Sequence, residues 1–251
     1  MPGRAILRPR NDQQQYDDLA PTWWHRRGPF AALHWLAEAR ARLVPPASRP
    51  GAVLLDVACG GGLLAAHVSG YRHVGVDLAA SALRSARPHG LLCVQGDTTA
   101  LPLAEGVADV VVAGEVIEHV ADIDALVAEV VRVCRPGGTI VVDTIADTAW
   151  ARFSMVTVGE RLPGGPPRHI HDPRLFVSSQ RLRALFAGHG VGLAVNGLRP
   201  NPSQYIAFML GLTASVVMQP TTSLSAVYQG VGRKPGEPAE ARMTPRTGPP
   251  A

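Results

Sequence analysis

The stretch Val53-Leu-Leu-Asp56-Val-Ala58-Cys-Gly60-Gly-Gly62-Leu-Leu64 decides the fold. Val53 to Val57 is an apolar run interrupted only by Asp56, the pattern of a strand buried on both faces of a parallel sheet. Three glycines follow, and Leu63 to Val68 then reads as the start of a helix. A strand, a glycine turn and a helix in that order form the first unit of an open α/β sheet, which binds its ligand beyond the carboxyl ends of the strands. Glycine suits such a turn because it reaches left-handed backbone angles and has no Cβ to hold a ligand away.

The next strands place acids at their ends. His73-Val-Gly-Val-Asp77 and Leu91-Leu-Cys-Val-Gln-Gly-Asp97 each finish in a carboxylate, and Asp109 to Ala113 leads through Gly114 to Glu115. Gly60-x-Gly62-x-x-Ala65 also fits the loose dinucleotide fingerprint. A pyrophosphate arriving there would meet Asp56, however, and four successive acids suit a cationic sulfonium better. Asp77 is placed for ribose hydroxyls, Asp97 for an adenine amino group, and Asp56 for the amino group of an amino acid. Ala58, Gly60, Gly62 and Gly114 would supply close backbone.

These motifs, with Arg135-Pro-Gly-Gly138 after them, resemble the class I S-adenosylmethionine-dependent methyltransferases, although Ala58 stands where that family usually has glycine. The resemblance implies an α/β, Rossmann-like fold: a mostly parallel seven-stranded sheet with an antiparallel last strand, N-terminal helices and a lid insertion. Its cofactor is S-adenosyl-L-methionine. Further upstream, Tyr16-x6-Trp23-Trp24-x3-Gly28-x-Phe30-x2-Leu33-His34 resembles the N-terminus of the ubiquinone-biosynthesis O-methyltransferases. In that family an arginine six residues after the Leu-His pair touches the cofactor carboxylate, and Arg40 stands at that position. Trp23 and Trp24 read as exposed residues that either cover the active site or anchor the N-terminal helices.

Composition bounds the rest. The chain has 251 residues, enough for one α/β domain with additions. A net charge of +4 with dispersed arginines and a pI of 9.3 fits solvated surface charge and points away from nucleic acid. Cys59, Cys93 and Cys134 lie in apolar contexts and read as reduced thiols of a cytoplasmic protein. No apolar run is long enough for a spanning helix, and residues 1–10, which look frayed, lack a signal-peptide core. A monomer and a homodimer are both compatible with the sequence.

Along the chain, residues 1–50 are expected to form a helical cap and linker, 51–232 the cofactor-binding domain and 233–251 a disordered tail. Helices are expected over Asp12–Leu19, Pro29–Leu43, Ser81–Pro88 and Asp122–Cys134, and Leu182–His189 is expected to be the C-terminal part of another. The fifth strand runs from Thr139 to Thr144, the sixth from Gly192 to Leu198, and the last from Leu224 to Gly230. Residues 146–174, with Trp150, Phe153, Met155 and the His171-Asp172 pair, resemble the family's segment over the acceptor site. Tyr205 to Met218 is apolar and too short to cross a bilayer; it reads as a core helix, with a peripheral membrane contact as the alternative.

The expected reaction is O-methylation of a phenol, catechol or hydroquinone on a small apolar aromatic acceptor, with C- or N-methylation as the alternative. A phenol is largely protonated near neutrality, so the site must remove or stabilise its proton. If Glu115 opens a helix, spacings of three and four bring Glu115, Glu118 and His119 onto neighbouring faces. The resemblance assigns this trio to a divalent cation. Two carboxylates favour Mg2+, with Mn2+ or Zn2+ following from the histidine. Glu115, His119 and His171 are the candidate catalytic groups.

Overall fold

The computed structural model describes residues 8–236. Strands β1 (Val53–Val57), β2 (Arg72–Asp77), β3 (Leu92–Gln95), β4 (Ala108–Gly114), β5 (Cys134–Ile145), β6 (Leu193–Pro200), β7 (Met218–Thr221) and β8 (Val227–Arg233) form one eight-stranded sheet in the order β3-β2-β1-β4-β5-β8-β6-β7. The pairs among β1 to β5 are parallel. β8 runs antiparallel to β5 and β6, and β7 antiparallel to β6. The order reverses between β1 and β4, and that is where an open α/β sheet has its ligand crevice.

The central strands are buried on both faces. Leu54, Leu55 and Val57 of β1, Val110 to Ala113 of β4 and Ile140 to Val142 of β5 are all buried, which explains their near-continuous apolar sequence. Helix α4 (Ile123–Val133) buries Ile123, Leu126, Val127, Val130 and Val131 against the sheet. Its first turn is closed by Asp122, whose carboxylate accepts from the Ala125 N–H at 3.0 Å. Helices α1 (Gln14–Leu19), α3 (Ala80–Ala86), α5 (Ala149–Ala151) and α6 (Ser179–Gly188) complete the layers, with α2 (Ala31–Ala41) and α7 (Pro202–Met209). Trp35, Leu36 and Ala39 of α2 belong to the main hydrophobic core.

Several expectations change. The sheet has eight strands because the expected apolar segment does not stay helical. It forms α7, turns at Gly211 in the left-handed region, and returns as the edge strand β7. Phe208, Val216 and Met218 are buried, whereas Ile206, Leu210 and Leu212 are exposed; a core helix therefore describes only one side of this segment. The last strand lies later than expected and runs to Arg233. Beyond it, Lys234 donates to the carbonyls of Val131 and Cys134, both at 2.9 Å. The start of the expected tail is thus tied to the end of α4, where a cation meets the helix's unpaired carbonyls. Residues 237–251 lie outside the described residues.

At the other terminus, Arg8 pairs with Asp18 and Arg10 with Glu160. The expected fraying therefore fails at Arg8 to Arg10, while residues 1–7 lie outside the described residues. The helix expected from Leu63 is one 3-10 turn, Leu63–Ala66.

Candidate active site

One cavity of about 1090 Å³ opens over the carboxyl ends of β1 to β4. Asp56 lines it from β1, Ala58 and Gly60 from the turn after it, Asp77 from β2, Asp97 from the loop after β3, Gly114 from the end of β4 and Glu115 from just beyond it. This places the predicted acids and backbone around one space, except Gly62, which is not among the lining residues and whose missing Cβ would meet Ala86 and Leu91 instead. Asp77 is built into the turn. Its Oδ2 accepts from the Gly60 N–H at 2.9 Å and its Oδ1 from the Ala79 N–H at 2.8 Å. Burial raises its pKa despite these bonds. Asp56 is buried, with His73 Nε2 3.7 Å behind it. Asp97 is exposed at the rim, with Oδ1 accepting from the N–H and hydroxyl of Thr99.

The turn's backbone explains its sequence. Gly60 and Gly62 have φ of 53° and 78°, and Ala58 has 55°. Alanine in this region carries a steric cost of about 1–2 kcal/mol that glycine avoids, offset in part by glycine's greater chain entropy. Ala58→Gly is therefore expected to change stability by at most about 1 kcal/mol, toward the more stable side, as read by urea unfolding. A loss above that scale contradicts the strain argument. The neighbouring glycines also make room for Trp23: a Cβ on Gly60 or Gly61 would lie 2.5 Å from its ring. Trp23 is buried and lines the cavity, and Trp24 donates its indole N–H to the Gly61 carbonyl at 3.0 Å. The expected exposure of the pair fails: Trp23 is buried and stacks on Phe30 with centroids 3.9 Å apart, and Trp24 is half-buried against His89.

Arg40 reaches the cavity from α2, but one edge of its guanidinium fork is taken. Nε and Nη2 donate to the two carboxylate oxygens of Asp143 at 2.6 and 2.7 Å. Two of its five N–H groups are thereby committed, and the edge carrying both N–H groups of Nη1 and the second of Nη2 is left for the contact to a cofactor carboxylate expected of Arg40. Gly114 is required here for a structural reason, since a Cβ would sit 2.0 Å from the Arg40 guanidinium. Asp143 was missed in the sequence, although an acid inside the apolar run of β5 signals a buried partner.

On the acceptor side, the expected helix after Glu115 does not form. Glu115 itself has a φ of 53°, and only the 3-10 turn Ile117–His119 follows. Helical spacing consequently does not apply, and the gathered donors are Glu118, His119 and His171, whose ligand atoms lie within 4.8 Å of one another. Glu115 is outside that set. Its pKa is raised by burial and by the carboxylates of Glu118 and Asp143. Glu118 is fully buried; Oε2 accepts from the Thr144 hydroxyl at 2.8 Å, while Oε1 has no hydrogen-bond partner. Burial pushes its pKa up to about 7.

His119 and His171 stack with centroids 5.2 Å apart, and both line the cavity. Burial lowers the pKa of His119 to about 4, so it is neutral near pH 7. His171 is lowered further by burial and by the neighbouring His119 and Arg10, and its Nδ1 is buried without a partner. Tyr16 presents its hydroxyl to His119 Nε2 at 3.2 Å. Met155, Pro166, Pro167 and Ile170 give the expected acceptor segment an apolar wall on this end of the cavity. Asn11, which also contacts His119, carries no signal in the sequence.

No helix among the described residues is long and apolar enough to cross a membrane. The profile of the family described as "Methyltransferase domain" matches residues 55–142. The ubiquinone biosynthesis O-methyltransferase of Hahella chejuensis is 32% identical over 76% of this chain and 85% of its own length. The mitochondrial ubiquinone biosynthesis O-methyltransferase of Mus musculus is 28% identical over 94% of this chain and 69% of its own. In fold, the chain matches a solved methyltransferase of Thermotoga maritima with a TM-score of 0.59 at 16% identity, over 88% and 97% of the two chains. The chain therefore belongs to the ubiquinone-biosynthesis O-methyltransferase family, and it is an S-adenosylmethionine-dependent methyltransferase of class I.

Proposed function

We propose that this methyltransferase is a cytoplasmic enzyme that methylates a phenolic, catechol or hydroquinone oxygen on a small apolar acceptor. The supporting observation is His119: a neutral imidazole on the cavity wall, beside an apolar lining, whose Nε2 lies 3.2 Å from a phenol hydroxyl, that of Tyr16. An acceptor phenol replacing Tyr16 there would meet a lone pair able to take its proton.

S-adenosylmethionine supplies the methyl group on a sulfonium, an electrophile that needs an aligned oxygen and little else. Asp77 takes the ribose hydroxyls, Asp97 the adenine amino group and Asp56 the ammonium. The backbone at Ala58, Gly60 and Gly114 lines the cofactor's path, and the N–H groups of Arg40 that Asp143 leaves open reach its carboxylate. Asp56 fits a cationic group because its buried carboxylate lines the cavity. Removing a charged partner of bound hydroxyls costs about 1.5–3 kcal/mol. Asp77→Ala is therefore expected to weaken cofactor binding by that amount in calorimetry, and unchanged affinity would remove the ribose assignment.

The donor set also fits a divalent cation. Glu118 Oε1 and His171 Nδ1 are buried polar atoms without partners, and both residues belong to the gathered set. Two imidazoles and one carboxylate suit Zn2+ or Mn2+ better than Mg2+, which shifts the preference drawn from the sequence. Such an ion would supply Lewis acidity that lowers the acceptor's pKa. The test is to chelate the protein and to measure cofactor affinity and methylation of a phenol and catechol panel separately. Lost methylation with retained cofactor binding, restored by an added ion, supports the ion; full methylation in chelator leaves His119 as a base acting alone. No methylation of any panel member under either condition contradicts the proposed acceptor class.

A further inference from the structure

We propose that Asn11 is a positioning residue that locks His119 in the tautomer with its proton on Nδ1, so that the lone pair on Nε2 faces the cavity. This inference rests on the reading of His119 as the group that meets the acceptor. The geometry that carries it does not. Asn11 makes two hydrogen bonds to one residue: Nδ2 donates to the His119 main-chain carbonyl at 2.9 Å, and Oδ1 lies 2.7 Å from His119 Nδ1.

The first bond decides the second. A carbonyl only accepts, so the amide nitrogen must face it, and the amide oxygen is then left toward the ring. An amide oxygen only accepts, so Nδ1 must carry the proton. In a neutral ring Nε2 is then unprotonated, and the Tyr16 hydroxyl at 3.2 Å is its donor. The burial that keeps His119 neutral makes the choice between tautomers consequential.

Asn11 is itself held for this task. Its φ is 58°, a left-handed conformation that asparagine tolerates better than most residues. Its backbone N–H donates to the His169 carbonyl at 3.0 Å. One residue earlier, Arg10 Nη1 donates to the buried Glu160 carboxylate and to the His171 carbonyl, both at 2.8 Å. Residues 10 and 11 thus fasten both candidate histidines from a segment far away in sequence. Partners that orient a functional histidine through its other nitrogen typically matter 10–100-fold when removed.

The experiment uses the full chain, 15N-labelled at histidine and kept in chelator, with the His119 ring assigned by its loss in His119→Gln. Long-range proton–nitrogen correlation spectra, recorded well above the imidazole's ordinary titration range, distinguish the two tautomers. Wild type is expected to show protonated Nδ1 and unprotonated Nε2. Asn11→Ala should shift the population toward the Nε2–H form and lower kcat by about 10–100-fold with unchanged cofactor affinity. Asn11→Asp, which keeps the acceptor oxygen, should restore the Nδ1–H form and most of kcat. An Nε2–H tautomer in wild type overturns the proposal without any variant. So does an Asn11→Ala protein that retains the Nδ1–H form, or one that shifts tautomer with kcat intact. If His119→Ala retains full activity, the reading of His119 fails, while the spectra still decide the tautomer and its dependence on Asn11.

Discussion

Replacing His119 by alanine is expected to lower methylation by a factor of about 10²–10⁴, the range for loss of a positioned acid–base group, with cofactor affinity unchanged. The separation follows from the geometry. Asp56, Asp77 and Asp97 lie on β1, on β2 and after β3, whereas His119 follows β4 and packs against Tyr16 and His171. None of the side-chain contacts of His119 is to those three acids; its partners are Asn11 and Tyr16. His171→Ala is the comparison. Its ring stacks on His119 at a 25° interplanar angle, so a smaller loss is expected if His171 only supports the ring, and an equal loss if both hold one ion. A His119→Ala protein with wild-type turnover at saturating cofactor contradicts the role.

Asp143→Ala is expected to destabilise the fold by about 3–5 kcal/mol, the cost of leaving a buried partner's charge uncompensated. Asp143 is fully buried, and both of its oxygens are held by the nearly buried Arg40. The pair joins α2 to β5 beneath the cavity. Replacing both residues together with apolar side chains should recover much of the loss, because a well-packed apolar pair can match a buried ion pair. Urea unfolding of the two single variants and the double variant measures this. A single-variant loss within about 0.5 kcal/mol, the scale of an ordinary surface substitution, would show that water reaches the pair.

These two predictions divide what the sequence exposes from what it hides. Strands β1, β4 and β5 are legible because burial on both faces leaves a near-continuous apolar run, and Asp56 and Asp77 are legible because their carboxylates interrupt or end such runs. The α4 start is legible from Asp122, a local cap. Contacts between distant segments leave no periodic trace: Asn11 and His119 are 108 residues apart, and Arg40 and Asp143 are 103 apart. The arginine at position 40 is recognisable by resemblance, yet its partner in this chain is a buried strand acid. The grouping of Glu115 with Glu118 and His119 fails for a local reason. It presumes a helix, and the left-handed turn at Glu115 ends that geometry before it starts.

Exposed Ile206, Leu210 and Leu212 show a further limit of reading apolarity as burial. In α7 only Phe208 is buried, where the ring packs edge-on against Trp35 at 4.9 Å and lies under the Arg27 guanidinium at 4.6 Å. Apolar composition alone does not distinguish the two sides of so short a helix.

The most direct test of oxygen methylation is the position of the transferred methyl group. Cofactor carrying a 13C-labelled methyl, incubated with phenol, catechol and hydroquinone acceptors with and without added Zn2+ or Mn2+, gives products whose labelled carbon reports its bonded atom by NMR. A label bonded to oxygen in wild type and absent with His119→Ala is the expected result. A label bonded to carbon or nitrogen in the wild-type product would contradict it.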